Sequence, residues 1–199
     1  QYLRELCDTA SIYGPVLFHE TSIKPQEYYG RMSAYFENGI QVHKAVGKSI
    51  SFVSPPSPKY SANGPYTLID GVCGTDNYFS LWQGWYGEDI DATIDLGSID
   101  SVSSIQLNCL INQASWIFAP ESITVQVSNN GIGYSEIATY GNAEAKNKMG
   151  KSIVPFLIEF PITQKCRFLN IKLKNIGALP EWHGSEGKTW IFVDEVIVR

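Results

Sequence analysis

The sequence lacks the short patterns that mark most enzyme families. It has no GxSxG, HExxH or CxxC motif and no glycine-rich phosphate loop. Its only histidines, His19, His43 and His183, lie far apart in different sequence contexts. A cysteine nucleophile with a histidine base is therefore disfavoured, although the sequence alone leaves it open. No apolar run approaches the ~18 residues that a membrane-spanning helix needs, so we predict no membrane insertion.

Charged residues are also scarce, at 18% of 199 residues, whereas aromatic residues are abundant at 13%. This composition is more typical of an extracellular β-protein than of a cytosolic helical one. The formal net charge of −5 argues against nucleic acid and anionic membrane surfaces as partners. The chain begins at Gln1 without a recognisable signal peptide, which suggests an excised fragment of a larger protein.

Paired cysteine spacings are absent as well. Cys7, Cys73, Cys109 and Cys166 are widely scattered, so a zinc cluster is not expected. Cys109 stands between alternating apolar residues and is predicted to be a small buried hydrophobic residue. The spacing favours free or structural thiols but leaves disulfide pairing open.

Strand patterns are what the sequence does contain. No segment keeps a 3.6-residue apolar period over three turns, whereas short alternating segments recur between turns such as SNNGIG, and this indicates an antiparallel β-sandwich. The segments are DATIDL (91–96), SIQLNCLI (104–111), ITVQVS (123–128), RFLNIKLK (167–174) and TWIFVDEVIV (189–198).

A proline-rich stretch, SPPSPKYSANGP (54–65), interrupts this pattern and cannot be a central strand. We predict that it lies on the surface near the start of the main module. Residues 49–199 suffice for an eight-stranded jelly roll. Residues 1–48 are too few for a comfortable core of their own, and we expect them to pack on their neighbour or to end a small preceding β-domain.

A metal site is suggested by LIDGVCGTD (68–76), in which Asp70 and Thr75 flank a glycine loop that suits a hard cation such as Ca²⁺. In the last strand, alternation places Asp194 and Glu195 on opposite faces, so one of them must point inward. A buried carboxylate needs a cation or several hydrogen-bond donors. One interpretation places a cation against the inward acid; the other pairs this acid with Arg167 or with a backbone turn.

Aromatic residues collect in two glycine-rich, loop-like stretches, LWQGWYGEDID (81–91) and LPEWHGSEGK (179–188). Flat aromatic rings with polar neighbours complement the C–H faces and hydroxyl groups of sugars. We predict that Trp85, Tyr86 and Trp182 are exposed for stacking, with His183 and Asn112 as hydrogen-bonding neighbours. We predict a core position for the remaining tryptophans, Trp82, Trp116 and Trp190. The acids of GEDID (87–91) are predicted to be a solvated loop rather than a glycosidase pair.

Several motifs resemble, in the same order along the chain, the coagulation factor 5/8 type C (discoidin-like) domains. They resemble more closely the family 32 carbohydrate-binding modules of bacterial glycoside hydrolases. The motifs are LIDGVCGT, IDATIDLGSIDSVSSIQL, WIFAPESITVQVSNNG, CRFLNIKLKNIG and WIFVDEVIV. The resemblance covers about residues 50–199. It implies a galactose-binding-like jelly roll, a structural Ca²⁺ held by Asp70, Thr75 and Glu195, and a sugar bound by loops at one end. Residues 1–48 more weakly resemble the small β-domain that follows the catalytic barrel in chitobiases and β-N-acetylhexosaminidases.

Together these features predict a non-catalytic module that binds a glycan with a terminal galactose- or N-acetylhexosamine-type sugar. The resemblance implies a secreted, periplasmic or cell-surface parent enzyme whose catalytic domain is the module's partner in the chain. Two alternatives are open: a structural or protein-interaction module that braces the catalytic domain without binding sugar, and a small hydrolase.

Overall fold

The computed structural model describes residues 39–199, which form seven β-strands and four short 3₁₀ helices. The strands are β1 (Ser49–Phe52), β2 (Gln83–Tyr86), β3 (Ile90–Asn112), β4 (Ser122–Ser128), β5 (Ser135–Gly141), β6 (Lys151–Lys174) and β7 (Trp190–Val198). The 3₁₀ helices are Pro58–Tyr60, Gly64–Ile69, Gln113–Ser115 and Glu181–His183. No helix in this part of the chain is long and apolar enough to cross a bilayer.

Two long strands build both layers of a sandwich. The first part of β3 pairs with β1 and with the end of β6, whereas its second part pairs with β7 and with the start of β6. The register between β3 and β6 breaks between Asp95 and Asp100, where both strands pass from one layer to the other. One layer has the order β1-β3-β6-β4-β5 and the other β2-β7-β3-β6, with every pairing antiparallel. This is the predicted all-β jelly roll.

The main core lies between the layers and is built from alternating residues of both. Ile94, Leu107, Ile171 and Val193 are almost fully buried in it. Cys109 is buried in the same cluster, as its alternating neighbours predicted. Cys73, Cys109 and Cys166 are all free thiols, and Cys7 lies outside the described residues.

Residues just upstream of β1 pack on the sandwich. Ala45 is fully buried in the main core. The N–H of Gln41 donates to the carbonyl of Gly71 at 2.8 Å, and the N–H of Lys44 donates to that of Val198 at 3.0 Å. Residues 1–38 lie outside the described residues, so the predicted division of the chain into 1–48 and 49–199 stays a prediction.

Both edges of the second layer carry proline. The proline-rich stretch runs beside edge strand β2, where the N–H of Ser57 donates to the carbonyl of Gly84 at 2.8 Å. Three of its four prolines are exposed, in agreement with its predicted surface position. On the opposite edge, β6 carries Pro155 and Pro161, which deprive that edge of donors for pairing with another strand.

Candidate functional site

The Trp182 indole is held in place while part of its surface faces solvent. The helix Glu181–His183 follows Pro180 and ends at Gly184, whose positive φ of 73° turns the chain. The indole Nε1 donates to the carbonyl of Lys146 at 2.8 Å, and its ring centroid lies 6.0 Å from that of buried Phe118. The side chain is nevertheless 42% exposed, as predicted. A fixed, exposed indole of this kind can serve as a stacking platform.

His183 stands beside this indole with its ring centroid 5.8 Å away. Its Nε2 lies 2.9 Å from the carbonyl oxygen of Gln113, which can only accept a hydrogen bond. Nε2 therefore carries a proton and donates to this carbonyl. Nδ1 is buried and has no partner among the described residues. The Nε2–H group of His183 is therefore already engaged by Gln113, and donation to a sugar from His183 stays a prediction.

Gln113 links the loops around the platform and was missed in the sequence. Its side chain is buried, accepts hydrogen bonds from the N–H groups of Met149 and Gly150 at 2.8 and 3.0 Å, and donates to the carbonyl of Asn147 at 2.7 Å. Its backbone carbonyl meanwhile accepts from His183. A glutamine after a strand carries no signal of this role, because every partner is distant in sequence.

Asn112, the last residue of β3, directly precedes Gln113 and therefore lies in the same loop cluster. Its backbone exchanges two hydrogen bonds of 3.0 Å with Ile117. Tyr86 is 39% exposed, as predicted, but its ring packs 4.8 Å from Trp190 and its hydroxyl accepts from the N–H of Lys188 at 3.4 Å. No contact joins Tyr86 to Trp182, so the structure separates these two predicted binding residues.

The prediction that Trp85 is exposed is wrong, since its side chain is only 1% exposed. Trp85 belongs to strand β2, faces the main core beside Phe52, and donates from Nε1 to the carbonyl of Ser54 at 3.0 Å. The adjacent glycine that made this stretch resemble a loop has a packing reason. A Cβ on Gly84 would lie 2.3 Å from the ring of Phe192.

The other tryptophans divide between core and boundary. Trp82 is buried, as predicted, in a smaller cluster on the outer face of the second layer. Trp116 and Trp190 are half-buried rather than fully in the core. The ring of Trp116 lies so close over Gly187 that a Cβ there would come within 2.9 Å of it.

A second polar cluster lies under the loop 70–75, where β7 contains a β-bulge. The register with β3 skips one residue, so Asp194 and Glu195 together stand opposite Asn108. Val193 and Val196 on either side both face the main core. The predicted alternation, with the two acids on opposite faces, is therefore wrong: both acids lie on the outer side and both are fully buried.

Backbone donors of the overlying loop receive these acids. The N–H of Gly71 donates to Oε2 of Glu195 at 2.8 Å, and the N–H of Gly74 donates to Oδ2 of Asp194. The other oxygen of Asp194 is buried without a partner among the described residues. Arg167, the predicted alternative partner, instead forms a two-pronged ion pair with Asp95 at 2.8 Å. Of the two alternative partners, the backbone turn contacts the acids and Arg167 does not.

A third carboxyl group belongs to this cluster, because Asp70 is buried there too. Burial raises the pKa of Asp194 to about 8, with a further contribution from the charge of Asp70. Burial, then the charges of Asp70 and Asp194, raise the pKa of Glu195 well above its usual range. The Cys73 thiol lies near the same carboxylates. Burial and these carboxylates raise its pKa to about 12, so it is an unreactive thiol.

His43 adds a hydrogen bond to the cluster but not a positive charge. Its Nδ1 faces the N–H groups of Ala45 and Val198 at 3.3 and 3.4 Å, so Nδ1 accepts and Nε2 donates to Oε1 of Glu195 at 3.1 Å. Burial, followed by the charge of Arg199, lowers the pKa of His43 to about 4. The pair is therefore a neutral imidazole bound to a carboxyl group rather than a salt bridge.

Thr75, the remaining predicted metal ligand, is occupied differently. Its hydroxyl accepts from the N–H of Asn77 at 3.3 Å and its carbonyl accepts from Nε1 of Trp82 at 2.8 Å. In residues 39–199, no group of three or more His, Cys, Asp or Glu side chains is arranged to hold a metal ion. The side chain that lies near Asp70 and Glu195 in this cluster is that of Asp194, whereas Thr75 has other partners.

No protein-family model matches this sequence, and no curated protein matches it. Solved structures do share the fold. Chitosan-binding module 1 from a chitosanase/glucanase of Paenibacillus sp. IK-5 superposes with a TM-score of 0.50 and 18% identity, over 79% of this chain and 98% of that module. A fucolectin from striped bass (Morone saxatilis) serum gives a TM-score of 0.51 and 14% identity, over 78% of this chain and 47% of that one. These similarities establish the jelly-roll fold.

Proposed function

We propose that this chain is a non-catalytic carbohydrate-binding module whose glycan site is the loop cluster around Trp182. The observation that carries the proposal is the indole of Trp182, which is held by a hydrogen bond to Lys146 and is nevertheless 42% exposed. A pyranose ring stacked on the indole would bury its apolar C–H face. The His183 ring, whose centroid lies 5.8 Å from that of Trp182, would border the stacked sugar.

The loops around the platform support this assignment because they are already ordered. Gln113 ties the segment 147–150 to the turn 113–115, and Lys146 fixes the indole. A site fixed before binding loses less entropy on association than a mobile one. With few contacts in a shallow site, the affinity should be weak, with Kd on the order of 0.1–1 mM.

The fold is compatible with such a site, since a chitosan-binding module and a fucolectin are built on it. For this chain we propose a glycan with a terminal galactose- or N-acetylhexosamine-type sugar. We further propose that the parent protein is a secreted, periplasmic or cell-surface bacterial glycoside hydrolase of the chitobiase or hexosaminidase type. The module would raise the local concentration of substrate for the attached catalytic domain.

We also propose that the loop 70–75 holds a structural Ca²⁺ between Asp70 and Glu195. The buried oxygen of Asp194 that has no partner within residues 39–199 supports this. So does the concentration of carboxyl groups, with no cationic side chain from that part of the chain against Glu195 or Asp194. Backbone carbonyls of the loop would have to complete the shell, because Thr75 has other partners. A bound cation would balance the buried charge and fix the loop over the β7 bulge.

The second candidate function, a module that braces a neighbouring domain, is favoured by one observation. The residues that lead into the sandwich are firmly attached to it: Ala45 lies in the core, Lys44 bonds to the last strand and His43 bonds to Glu195. Such attachment would transmit a rigid orientation to whatever precedes it. Bracing and sugar binding are compatible, but only the first would survive loss of the Trp182 site.

A glycan array probed with the labelled 199-residue chain tests the proposed function. We expect binding to a set of glycans that share one terminal sugar, and loss of that binding in Trp182→Ala. A matched control is Tyr86→Ala, which removes a comparably exposed ring without contact to Trp182. An array on which the native chain binds nothing would favour the bracing module, whereas equal binding by Trp182→Ala would contradict the Trp182 site.

A further inference from the structure

A groove of about 940 Å³ lies between the proline-rich stretch and the free edge of β2. This size falls within the range of ligand sites in proteins, roughly 300–1,000 Å³. Four prolines line it together with Tyr86 and Glu88. Neither the proposed sugar platform nor the buried acidic cluster contributes to its lining.

The backbone of Tyr86 is unpaired on the side that faces away from β7. Tyr86 stands opposite Trp190. On the far side of β7, the N–H of Trp190 donates to the carbonyl of Trp116, and its carbonyl accepts from the N–H of Phe118. The next hydrogen bond between these two segments runs from the N–H of Gly87 to the carbonyl of Thr189, the residue before β7, at 2.7 Å. Tyr86 and Trp190 are therefore a non-hydrogen-bonded pair, and both backbone groups of Tyr86 point outward.

The proline-rich stretch covers only part of this edge. The N–H of Ser57 donates to the carbonyl of Gly84 on this edge. The backbone groups of residues two apart on a strand point in the same direction, so those of Gly84 and Tyr86 point to the same side. Pro55 and Pro56 also line the groove, but they have no N–H to donate. Among the described residues, none pairs with the backbone N–H or carbonyl of Tyr86, so an edge is left open inside a preformed groove.

The chemistry of the lining defines what would fit there. Its walls are mainly apolar, with proline rings, Val53 and the exposed ring of Tyr86. Glu88 is an exposed carboxylate, and the described residues that line the groove include no Lys, Arg or His. The groove therefore complements an extended chain that brings its own backbone donor and acceptor, apolar side chains and a positive charge.

We propose that this groove receives an extended segment of a protein partner, which adds to β2 as a strand at Tyr86. Its apolar side chains would pack against the prolines and the tyrosine ring, and a Lys or Arg side chain would pair with Glu88. This interaction goes beyond glycan binding and does not depend on it. It gives the module a protein-docking surface separate from the Trp182 platform.

An NMR titration of the ¹⁵N-labelled chain with an acetylated hexapeptide of alternating valine and lysine tests this. We expect the amide signals of residues 84–88 to shift, with Kd on the order of 0.1–1 mM. The same peptide N-methylated at alternate residues keeps its side chains but loses strand hydrogen bonds, and should bind at least about tenfold more weakly. Glu88→Gln should weaken binding about threefold or more, whereas Glu186→Gln, an exposed acid outside the groove, should not.

Three results would overturn the proposal. One is the absence of any shift at residues 84–88 up to about 5 mM peptide, well above the expected Kd. Another is equal binding of the N-methylated peptide, which would show that no strand is added. The third is a shift of these amides by free galactose or N-acetylglucosamine but not by the peptide, which would make the groove a sugar site.

Discussion

Trp85 and Trp182 are the same kind of residue in similar glycine-rich sequence, yet the structure gives them opposite roles. Trp85 is 1% exposed in the main core, and Trp182 is 42% exposed above Phe118. Trp182→Ala should therefore abolish retention on the cognate glycan and leave the melting temperature within a degree or two. Affinity electrophoresis and thermal unfolding measure the two effects separately.

Trp85→Ala is the matched comparison and should behave in the opposite way. Truncating a buried aromatic side chain costs about 3–5 kcal/mol of stability because it leaves a cavity. Denaturant unfolding should show this loss, while any protein that remains folded should still bind glycan. A Trp182→Ala protein destabilised as strongly as Trp85→Ala would mean that Trp182 is a packing residue.

At this scale the sequence correctly predicted that Trp182 and Tyr86 are exposed and that Trp82 is buried, because local context sufficed. It failed for Trp85, since the glycine beside it serves the approach of Phe192, which is more than a hundred residues away. It also missed Gln113, whose partners lie in loops joined only by the folded sheet. Contacts between distant segments carry no signal in a single sequence.

The β7 bulge is the element whose consequence is easiest to measure. The strand pattern of WIFVDEVIV predicted the strand itself but not the bulge, because the extra residue appears only when β7 is set in register with β3. As a result, two adjacent carboxyl groups are buried on one face with Asp70 nearby.

This burial predicts a fall in stability with rising pH in the presence of chelator. The pKa of Asp194 is raised from 3.8 to about 8, so the folded state keeps a proton that the unfolded state releases. That contribution is complete below pH 3.8 and is lost as the pH rises through 8. His43, with its pKa lowered from 6.5 to about 4, acts in the opposite direction but only below pH 6.5.

Between pH 6.5 and 8, His43 no longer opposes the effect of Asp194. The free energy of unfolding in EDTA should therefore decline over this range. Urea unfolding at several pH values measures it, and Asp194→Asn should flatten the decline because the amide does not titrate. Stability that is constant or rises across this window in the native chain would contradict the assignment.

Calcium should reverse that decline if it binds at the same loop. A ligand bound only by the folded state adds about 2.7 kcal/mol at a hundredfold excess over Kd, which corresponds to roughly 5–10 °C in a chain of this size. The melting temperature at pH 8 should therefore be higher in Ca²⁺ than in EDTA. Equal melting temperatures, with no metal found by elemental analysis, would count against the calcium site.

Over the whole molecule, the described sandwich extends upstream of its first strand. Ala45 fills the core, and Gln41, His43 and Lys44 bond to Gly71 and β7. A chain that starts at residue 49 should thus be less stable than one that starts at residue 39, by about 2–4 kcal/mol for the lost burial and hydrogen bonds.

Thermal unfolding of the two truncated chains checks this prediction, with the 199-residue chain as reference. Limited proteolysis should likewise leave a protected fragment that begins before Gln41. Equal stability of the two truncated chains would show that residues 39–48 do not stabilise the sandwich. It would place the start of the folded module at β1.

The architecture was the most predictable level, because alternation and turn residues recur along the whole chain and point to the same fold. Less predictable was the way β3 and β6 each serve both layers, which depends on bends inside continuous strands. The open edge of β2 was also beyond the sequence, although the prolines that leave it open are plainly visible there.

The most direct test of the central claim is an NMR titration of the chain with galactose, N-acetylglucosamine and N-acetylgalactosamine. The indole Nε1–H signals of the tryptophans report on each ring separately, and Trp182→Phe identifies the signal of Trp182. We predict that at least one sugar shifts this signal together with the amides of 113–116 and 146–150, while the indole signal of buried Trp85 stays in place. If none of these sugars, nor any glycan selected on the array, moves the Trp182 signal, the module does not bind sugar at this site.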